Sequence, residues 1–254
     1  MPSVLGVFAH PDDESLAAGG VLARYAAAGA RTAVVTATWA AGTHRAGELA
    51  HALEALGAGA PRLLGYADHH VPASAPGQPR LCDAPLDEAI GRVVAHVRAF
   101  RPDIVITHDP TGASGHPDHI RTHQIALLAA HAAVIESLHP QAGQAWTPNS
   151  LWLAAYPAAG ARALGELVAT AGKGLRTVPD GMITATADVR PWVDRKQAAV
   201  LAHRSEVARP RSLPALLSGL PDSERADILG TEWFLCYDLA PGRNPEHRAP
   251  DVRG

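Results

Sequence analysis

The sequence predicts an α/β fold with a mainly parallel central sheet, and three observations predict it. Short apolar, β-branched runs recur along the chain, beginning at Val4. Between them lie segments whose apolar residues return at helical spacing. Two of the runs lead into clusters of His and Asp, which places these clusters at the carboxyl ends of strands, where open α/β sheets bind ligands.

The first run, Val-Leu-Gly-Val-Phe from Val4, carries no charge and reads as a buried strand. It leads into His10-Pro11-Asp12-Asp13-Glu14, where Pro11 opens a polar turn. From Ser15 to Ala28 the residues Leu16, Val21, Leu22 and Tyr25 keep helical spacing, and Gly29 stands where a C-cap glycine would. Thr32 to Thr38 is the next buried strand. Strand, helix and strand in this order imply a right-handed crossover and parallel pairing. Gly19 and Gly20 lie inside the first helix and do not spell Gly-x-Gly-x-x-Gly, so a dinucleotide site is disfavoured.

After a loop at Ala40 to Thr43, His44 to Leu56 forms the second helix. Leu63 to Asp68 is a short third strand with Asp68 at its exit, and Pro72 to Pro85 holds too many breakers for a regular element. Asp87 to Phe100 is a helix on the spacing of Ile90, Val93, Val94 and Val97, ended by Arg101-Pro102. Pro102 to Thr107 is another strand, followed by a Gly-bearing loop and His116-Pro117-Asp118-His119. Pro117 suits the first turn of a helix that continues from Ile120 to Leu138, so His116 and His119 should lie together at its N-terminus.

Beyond Gln141 the expected elements are strands at Ser150 to Ala155 and Met182 to Ala187, joined by a helical segment from Ala161 to Ala169. A helix over Asp194 to Glu206 and a last strand over Glu232 to Leu239 follow. The expected organisation is an α/β core over 1–140 that carries the polar clusters, and a smaller C-terminal sub-domain over 141–240 that completes the sheet and covers the pocket. Residues 241–254 read as a disordered tail.

The 254 residues carry a formal charge of −3, which gives no electrostatic reason to expect nucleic acid or an anionic membrane. Cys82 and Cys236 are too few for a disulfide scaffold or a Cys-rich zinc site. The first residues run into the first strand without a basic leader, so the expected location is cytoplasmic. A small neutral or mixed molecule is the expected partner, and homo-oligomer formation is left open.

His10 and Asp13 are ligands of the kind zinc takes, and Asp12 between them cannot share the same direction, which frees it to act as a base. On its own this cluster would also read as an Asp-rich helix cap. His116 and His119 decide between the readings. The two clusters together supply His, Asp and His with an open position for water, the make-up of a catalytic zinc site.

Ala9-His10-Pro11-Asp12-Asp13-Glu14 and Gly115-His116-Pro117-Asp118-His119 together resemble the PIG-L/LmbE family of zinc-dependent N-deacetylases. The resemblance implies a Rossmann-like three-layer fold and removal of a small acyl group, acetyl, from an N-acetylglucosamine-type sugar or conjugate. It implies zinc on His10, Asp13 and His119, with Asp12 as general base and His116 stabilising the oxyanion or protonating the amine. Asp118, beside His116, is expected to keep that imidazole protonated. Arg45, in Arg-Ala-Gly-Glu-Leu, is expected to reach substrate hydroxyls rather than form an exposed pair with Glu48, and Asp68 to face a sugar hydroxyl.

Mycothiol-pathway members of the family carry Tyr where this chain has Ser114. Weak activity on the mycothiol precursor is therefore expected, with Ser114 or His108 as replacements for the phenol. Alternatives are a mycothiol-type conjugate amidase, a two-metal phosphoesterase suggested by Asp68-His69-His70, and a non-catalytic sugar-binding module. The ion itself stays open between zinc and iron.

Overall fold

A computed structural model describes residues 1–240. Seven strands form one sheet: β1 (Val4–Phe8), β2 (Thr32–Thr38), β3 (Arg62–Tyr66), β4 (Ile104–His108), β5 (Ser150–Ala154), β6 (Ala185–Asp188) and β7 (Thr231–Asp238). Their order is β3-β2-β1-β4-β5-β7-β6. The first five run parallel, and β7 is antiparallel to both β5 and β6.

The N-terminal helices are α1 (Asp13–Ala27), α2 (His44–Leu56), α3 (Leu86–Phe100), the single turn α4 (Gly112–Gly115) and α5 (Pro117–Ala132). The later ones are α6 (Arg162–Thr170), α7 (Val193–Ala202), the one-turn α8 (Arg204–Val207), α9 (Leu213–Ser218) and α10 (Asp222–Leu229). Two apolar layers flank the sheet. One packs the strand residues Leu5, Val7, Val35 and Val105 on α3 and α5 through Val93, Val97, Ile125 and Ala129. The other packs Val4, Phe8, Val34 and Ile106 on α1 and α2 through Leu22, Leu49 and Leu53. The division of Val4, Leu5, Val7 and Phe8 between these layers explains why β1 is apolar on both faces.

Residues 141–240 extend this sheet rather than build a sheet of their own. Glu232 of β7 reaches into α1, accepting from the N–H groups of Gly20 and Val21 at 2.7 and 2.9 Å, and pairs with buried Lys196 of α7 at 2.6 Å. Gly20 is required there, because a Cβ would collide with the side chain of Val189. This buried carboxylate ties the site-bearing helix to the C-terminal strand.

The helix expected to run to Leu138 ends at Ala132, and the one expected over Asp194 to Glu206 breaks at His203. α9 and α10 have no counterpart among the expected elements. The tail expected over 241–254 lies outside the described residues. No helix among the described residues is long and apolar enough to cross a membrane.

The sheet reverses its winding between β1 and β4, where successive connections diverge to opposite edges. That is the topological switch point, and a crevice opens at the carboxyl ends of the two strands.

Candidate metal centre and active-site cavity

The crevice receives both polar clusters. His10, Asp12 and Asp13 follow β1, while His116 and His119 begin α5 beyond β4. Asp12 precedes α1 with φ 120°, an unusual conformation for a residue with a side chain, of the sort that persists at functional sites.

His10 Nδ1 lies 3.1 Å from His119 Nε2 and 3.3 Å from Asp13 Oδ2, and His119 Nε2 lies 3.2 Å from Asp13 Oδ1. Donors about 2.0–2.1 Å from a tetrahedral zinc stand about 3.3 Å apart, so this triangle of side chains, in which Asp13 turns a different carboxylate oxygen to each imidazole, has the spacing of ligands to one ion. The outer nitrogens are oriented to suit. His119 Nδ1 bonds the Gly112 carbonyl at 3.1 Å, and His10 Nε2 faces Asp118 Oδ2 at 3.1 Å and Asp68 Oδ2 at 3.2 Å. A His whose outer nitrogen donates to a carboxylate or carbonyl presents the other nitrogen's lone pair to a metal. Gly112 is in the left-handed region at φ +65°, and a Cβ there would come within 3.0 Å of His119.

The charge balance also favours a cation. Burial by itself would lower the pKa of His10, yet Asp118, Asp13 and Asp68 hold it well above the ordinary imidazole value. Burial would raise Asp13, but His119, His108 and His10 hold it well below the usual carboxylate range. The three-residue donor set is therefore strongly attractive to positive charge.

Asp12 stands outside the triangle, and burial pushes its carboxyl up to about 7, with Arg45 pulling it down and Asp13 adding to the rise. Arg45 is itself buried. Its guanidinium bonds the Pro11 carbonyl, lies 3.4 Å from Asp12 Oδ1 and 3.0 Å from Glu206 Oε1, and rests 4.9 Å from the centre of the Trp39 ring. The pairing with Glu48 does not occur, since Glu48 instead receives the N–H and hydroxyl of Ser205. Arg45 thus lines the cavity while holding Asp12, in addition to any contact with substrate.

Two expectations change. Asp118 does not direct its carboxylate at His116: it serves His10, the His69 N–H and the Cys82 thiol. His116 caps α5, its Nδ1 accepting from the Asp118 N–H at 3.2 Å, and burial with neighbouring His10 and His119 pushes its pKa down to about 3. The ring is therefore neutral, with Nε2–H as its donor. Asp68 likewise spends its oxygens on His10 and on the N–H groups of His70 and Val71, although it still borders the cavity.

His108 does not replace the phenol. Its Nε2 accepts from the Ala9 N–H at 3.1 Å, and burial, with His119 adding, pushes its pKa down to about 4. His203 does not line the cavity, whereas His108 does. It is fully buried against Glu14, at 2.9 Å, and Glu14 accepts from the Asp12 N–H and the Ser15 hydroxyl, bracing the loop.

The cavity, of about 930 Å³, has a second wall drawn from the C-terminal part, whose individual residues the sequence did not single out. Leu164 and Val168 of α6, Leu213 and Leu216 of α9, and Lys173 form it. Tyr156, just past β5, lines the same cavity as Ser114 and His116, and burial, with Asp13, Glu232 and Asp109, holds its phenol above the ordinary pKa. No local motif marks Tyr156. Its only signal was its position two residues beyond a strand end.

Residues 5–130 match the family model described as PIG-L, GlcNAc-PI de-N-acetylase. A 1D-myo-inositol 2-acetamido-2-deoxy-alpha-D-glucopyranoside deacetylase of Rhodococcus opacus is 39% identical, the match covering 99% of this chain and 91% of the relative. The protein of the same name from Rhodococcus erythropolis is 37% identical over 80% of this chain and 81% of its own. The N,N'-diacetylchitobiose deacetylase of Pyrococcus horikoshii has the same fold, with a TM-score of 0.64 at 19% identity, covering 93% of this chain and 84% of that one.

Proposed function

The chain belongs to the PIG-L, GlcNAc-PI de-N-acetylase, family, and from that premise we propose a zinc-dependent N-deacetylase of an N-acetylglucosaminyl glycoside, with His10, Asp13 and His119 holding the ion. The observation that carries this reading is the triangle of His10, Asp13 and His119 side chains, whose facing atoms lie 3.1 to 3.3 Å apart with one Asp13 oxygen toward each imidazole and Asp12 beside them. Nitrogen and oxygen donors of this set suit zinc and also ferrous iron.

Bound there, the ion would activate water and polarise the acyl oxygen. Asp12 takes the proton of the attacking water, a task for which a carboxyl near neutral pKa is suited. Arg45 fixes the direction of that carboxylate. Neutral His116 donates its Nε2–H to the acyl oxygen as charge develops on it. Protonated Asp12 then returns the proton to the departing amine, which leaves His116 as a hydrogen-bond donor throughout.

The substrate we propose is the inositol glycoside for which the Rhodococcus relatives are named. Ser114 counts against that substrate only if the site lacks a phenol. Tyr156 lines the same cavity, which makes a phenol available to it although residue 114 is Ser. We assign Tyr156 to the acyl oxygen or to the sugar beside it.

Removal of metal by chelation should abolish hydrolysis, and zinc or ferrous iron should restore it. Full turnover in a demonstrably metal-free preparation would defeat the mechanism. For the substrate, kcat/KM on the inositol glycoside should exceed that on a simple N-acetylglucosamine glycoside by tenfold or more, about 1.4 kcal/mol of transition-state discrimination. The reverse ranking would restore the inference from Ser114.

A further inference from the structure

We propose that a second cation site, for a thiophilic divalent ion of the zinc class, lies behind the catalytic donors and is built from His69, Cys82 and Asp118. A ring nitrogen of His69, the Cys82 sulfur and an Asp118 carboxylate oxygen lie within 4.8 Å of one another. Cys82 Sγ donates to Asp118 Oδ1 across 3.1 Å, and the His69 backbone N–H donates to Oδ2 across 2.8 Å. Two segments distant in sequence, the loop after β3 and the start of α5, are thus already drawn together around one carboxylate.

His69 Nδ1 is buried without a hydrogen-bond partner among the described residues. Buried polar atoms rarely stay unpaired, and a metal is one means of satisfying an imidazole nitrogen. With bonds of about 2.3 Å to sulfur and about 2.0 Å to oxygen, ligands on a tetrahedral zinc stand about 3.5 Å apart, close to the sulfur-oxygen separation present here. None of the three lines the substrate cavity. Cys82 is only partly buried, so an ion has a route to it that does not pass the catalytic donors.

Binding exchanges the thiol S–H bond for a bond from sulfur to the metal. The proton leaves to solvent, while the imidazole and carboxylate contribute lone pairs. No oxidation is involved. The donor set differs in kind from the catalytic triangle, which holds nitrogen and oxygen alone, and this difference makes the two sites separable by spectroscopy.

The site has a consequence for turnover that rests on reading His10 as a catalytic ligand. Asp118 Oδ2 orients His10 at 3.1 Å, so an ion that draws on Asp118 weakens one of the two carboxylate contacts at that nitrogen. Filling the second site therefore slows the enzyme, which appears as inhibition by excess zinc.

The test is a titration of the metal-free full-length protein with cobalt(II). Two equivalents should bind, one with d–d bands only and one with a thiolate-to-cobalt charge-transfer band in the near ultraviolet. Cys82→Ser should lose the charge-transfer band and keep the d–d spectrum of the other equivalent, which also reports that it has folded. His69→Gln, which retains the thiol, should weaken the charge-transfer equivalent at least tenfold. A single equivalent, no charge-transfer band, or a band that survives Cys82→Ser would overturn the site. Excess zinc should lower kcat in the parent and not in Cys82→Ser; equal inhibition in both would overturn the inhibitory consequence. Cobalt spectra as described with no hydrolysis of any amide would instead count against the deacetylase reading alone.

Discussion

The two walls of the cavity are built by different means. The wall at the ends of β1 and β4 is polar and rigid, and nearly every side chain in it is held by a second group: His119 by Gly112, His10 by Asp68 and Asp118, Asp12 by Arg45. The wall from α6, α9 and Tyr156 is largely apolar and shapes space rather than fixing lone pairs. The clustered His and Asp side chains thus gather at the strand ends, where the sheet sets positions for several residues at once. The remaining cavity wall comes from helices that the chain adds after the parallel part of the sheet is complete.

If the polar wall alone performs the reaction, the largest loss should come from Asp12→Ala, which should lower kcat by about 10²–10⁴-fold on any acetylated substrate. Steady-state kinetics on two different glycosides would check this. Losses that differ between the two by more than about tenfold would mean that Asp12 also reads the substrate.

Tyr156→Phe sharpens the comparison, because it removes the phenol assigned to the acyl oxygen or to the sugar beside it while keeping the ring. We expect kcat to fall on the order of 10²-fold if the phenol donates to the developing oxyanion. A change in KM alone would confine Tyr156 to sugar binding. The double variant Ser114→Tyr, Tyr156→Phe then asks whether the two positions are interchangeable sources of one phenol, as recovery of kcat would indicate.

Leu216→Ala should act more weakly and only through fit. KM for the inositol glycoside should rise by about tenfold, with kcat retained and a simple N-acetylglucosamine glycoside almost unaffected, the low end of the ~1–3 kcal/mol that one apolar contact is worth. Equal effects on both substrates would remove the aglycone from this wall.

The smallest effect on turnover is expected from His203→Gln, whose consequence is stability. Burial lowers the pKa of His203, but the charge and hydrogen bond of Glu14, with Asp12 adding and Arg45 opposing, raise it above the ordinary value. A group raised on folding contributes stability that is complete below its unfolded pKa of about 6.5 and is lost as pH rises through the folded value. The Tm difference between parent and variant should therefore be largest below about pH 6.5 and shrink in alkaline solution. A difference that grows with pH would contradict the pairing with Glu14.

The polar wall was legible because its residues are clustered in sequence. His10, Asp12 and Asp13 share one turn, His116 and His119 share another, and the apolar strands before them place both at one edge. β2 and α2 fall where the residue pattern puts them, with no shift at either end. The expectation that the Asp118 carboxylate faces His116 and keeps it protonated does not match the geometry, for a physical reason. Adjacency in sequence suggests that the carboxylate faces its neighbouring imidazole, but at a helix N-terminus the His116 ring folds back to cap the Asp118 N–H, and the carboxylate turns to His10. Of the apolar wall only the helical segment now seen as α6 and a C-terminal part covering the pocket were expected; α9 and Tyr156 were not legible, because they come from segments whose pairing with the site is set by long-range packing. His203 shows the same limit: its helix is visible in the residue pattern, but not the break that sends the ring against Glu14.

The central claim is that Asp13 holds the metal while its neighbour Asp12 does not, and metal content per folded chain measures it directly. Asp12→Ala and Asp13→Ala should be purified in parallel, equilibrated with one equivalent of zinc, freed of unbound ion and analysed by elemental mass spectrometry. The account predicts a near-stoichiometric ion in Asp12→Ala with turnover lost, and little ion in Asp13→Ala. Equal loss of metal from both, or an ion retained by Asp13→Ala and lost from Asp12→Ala, would contradict it.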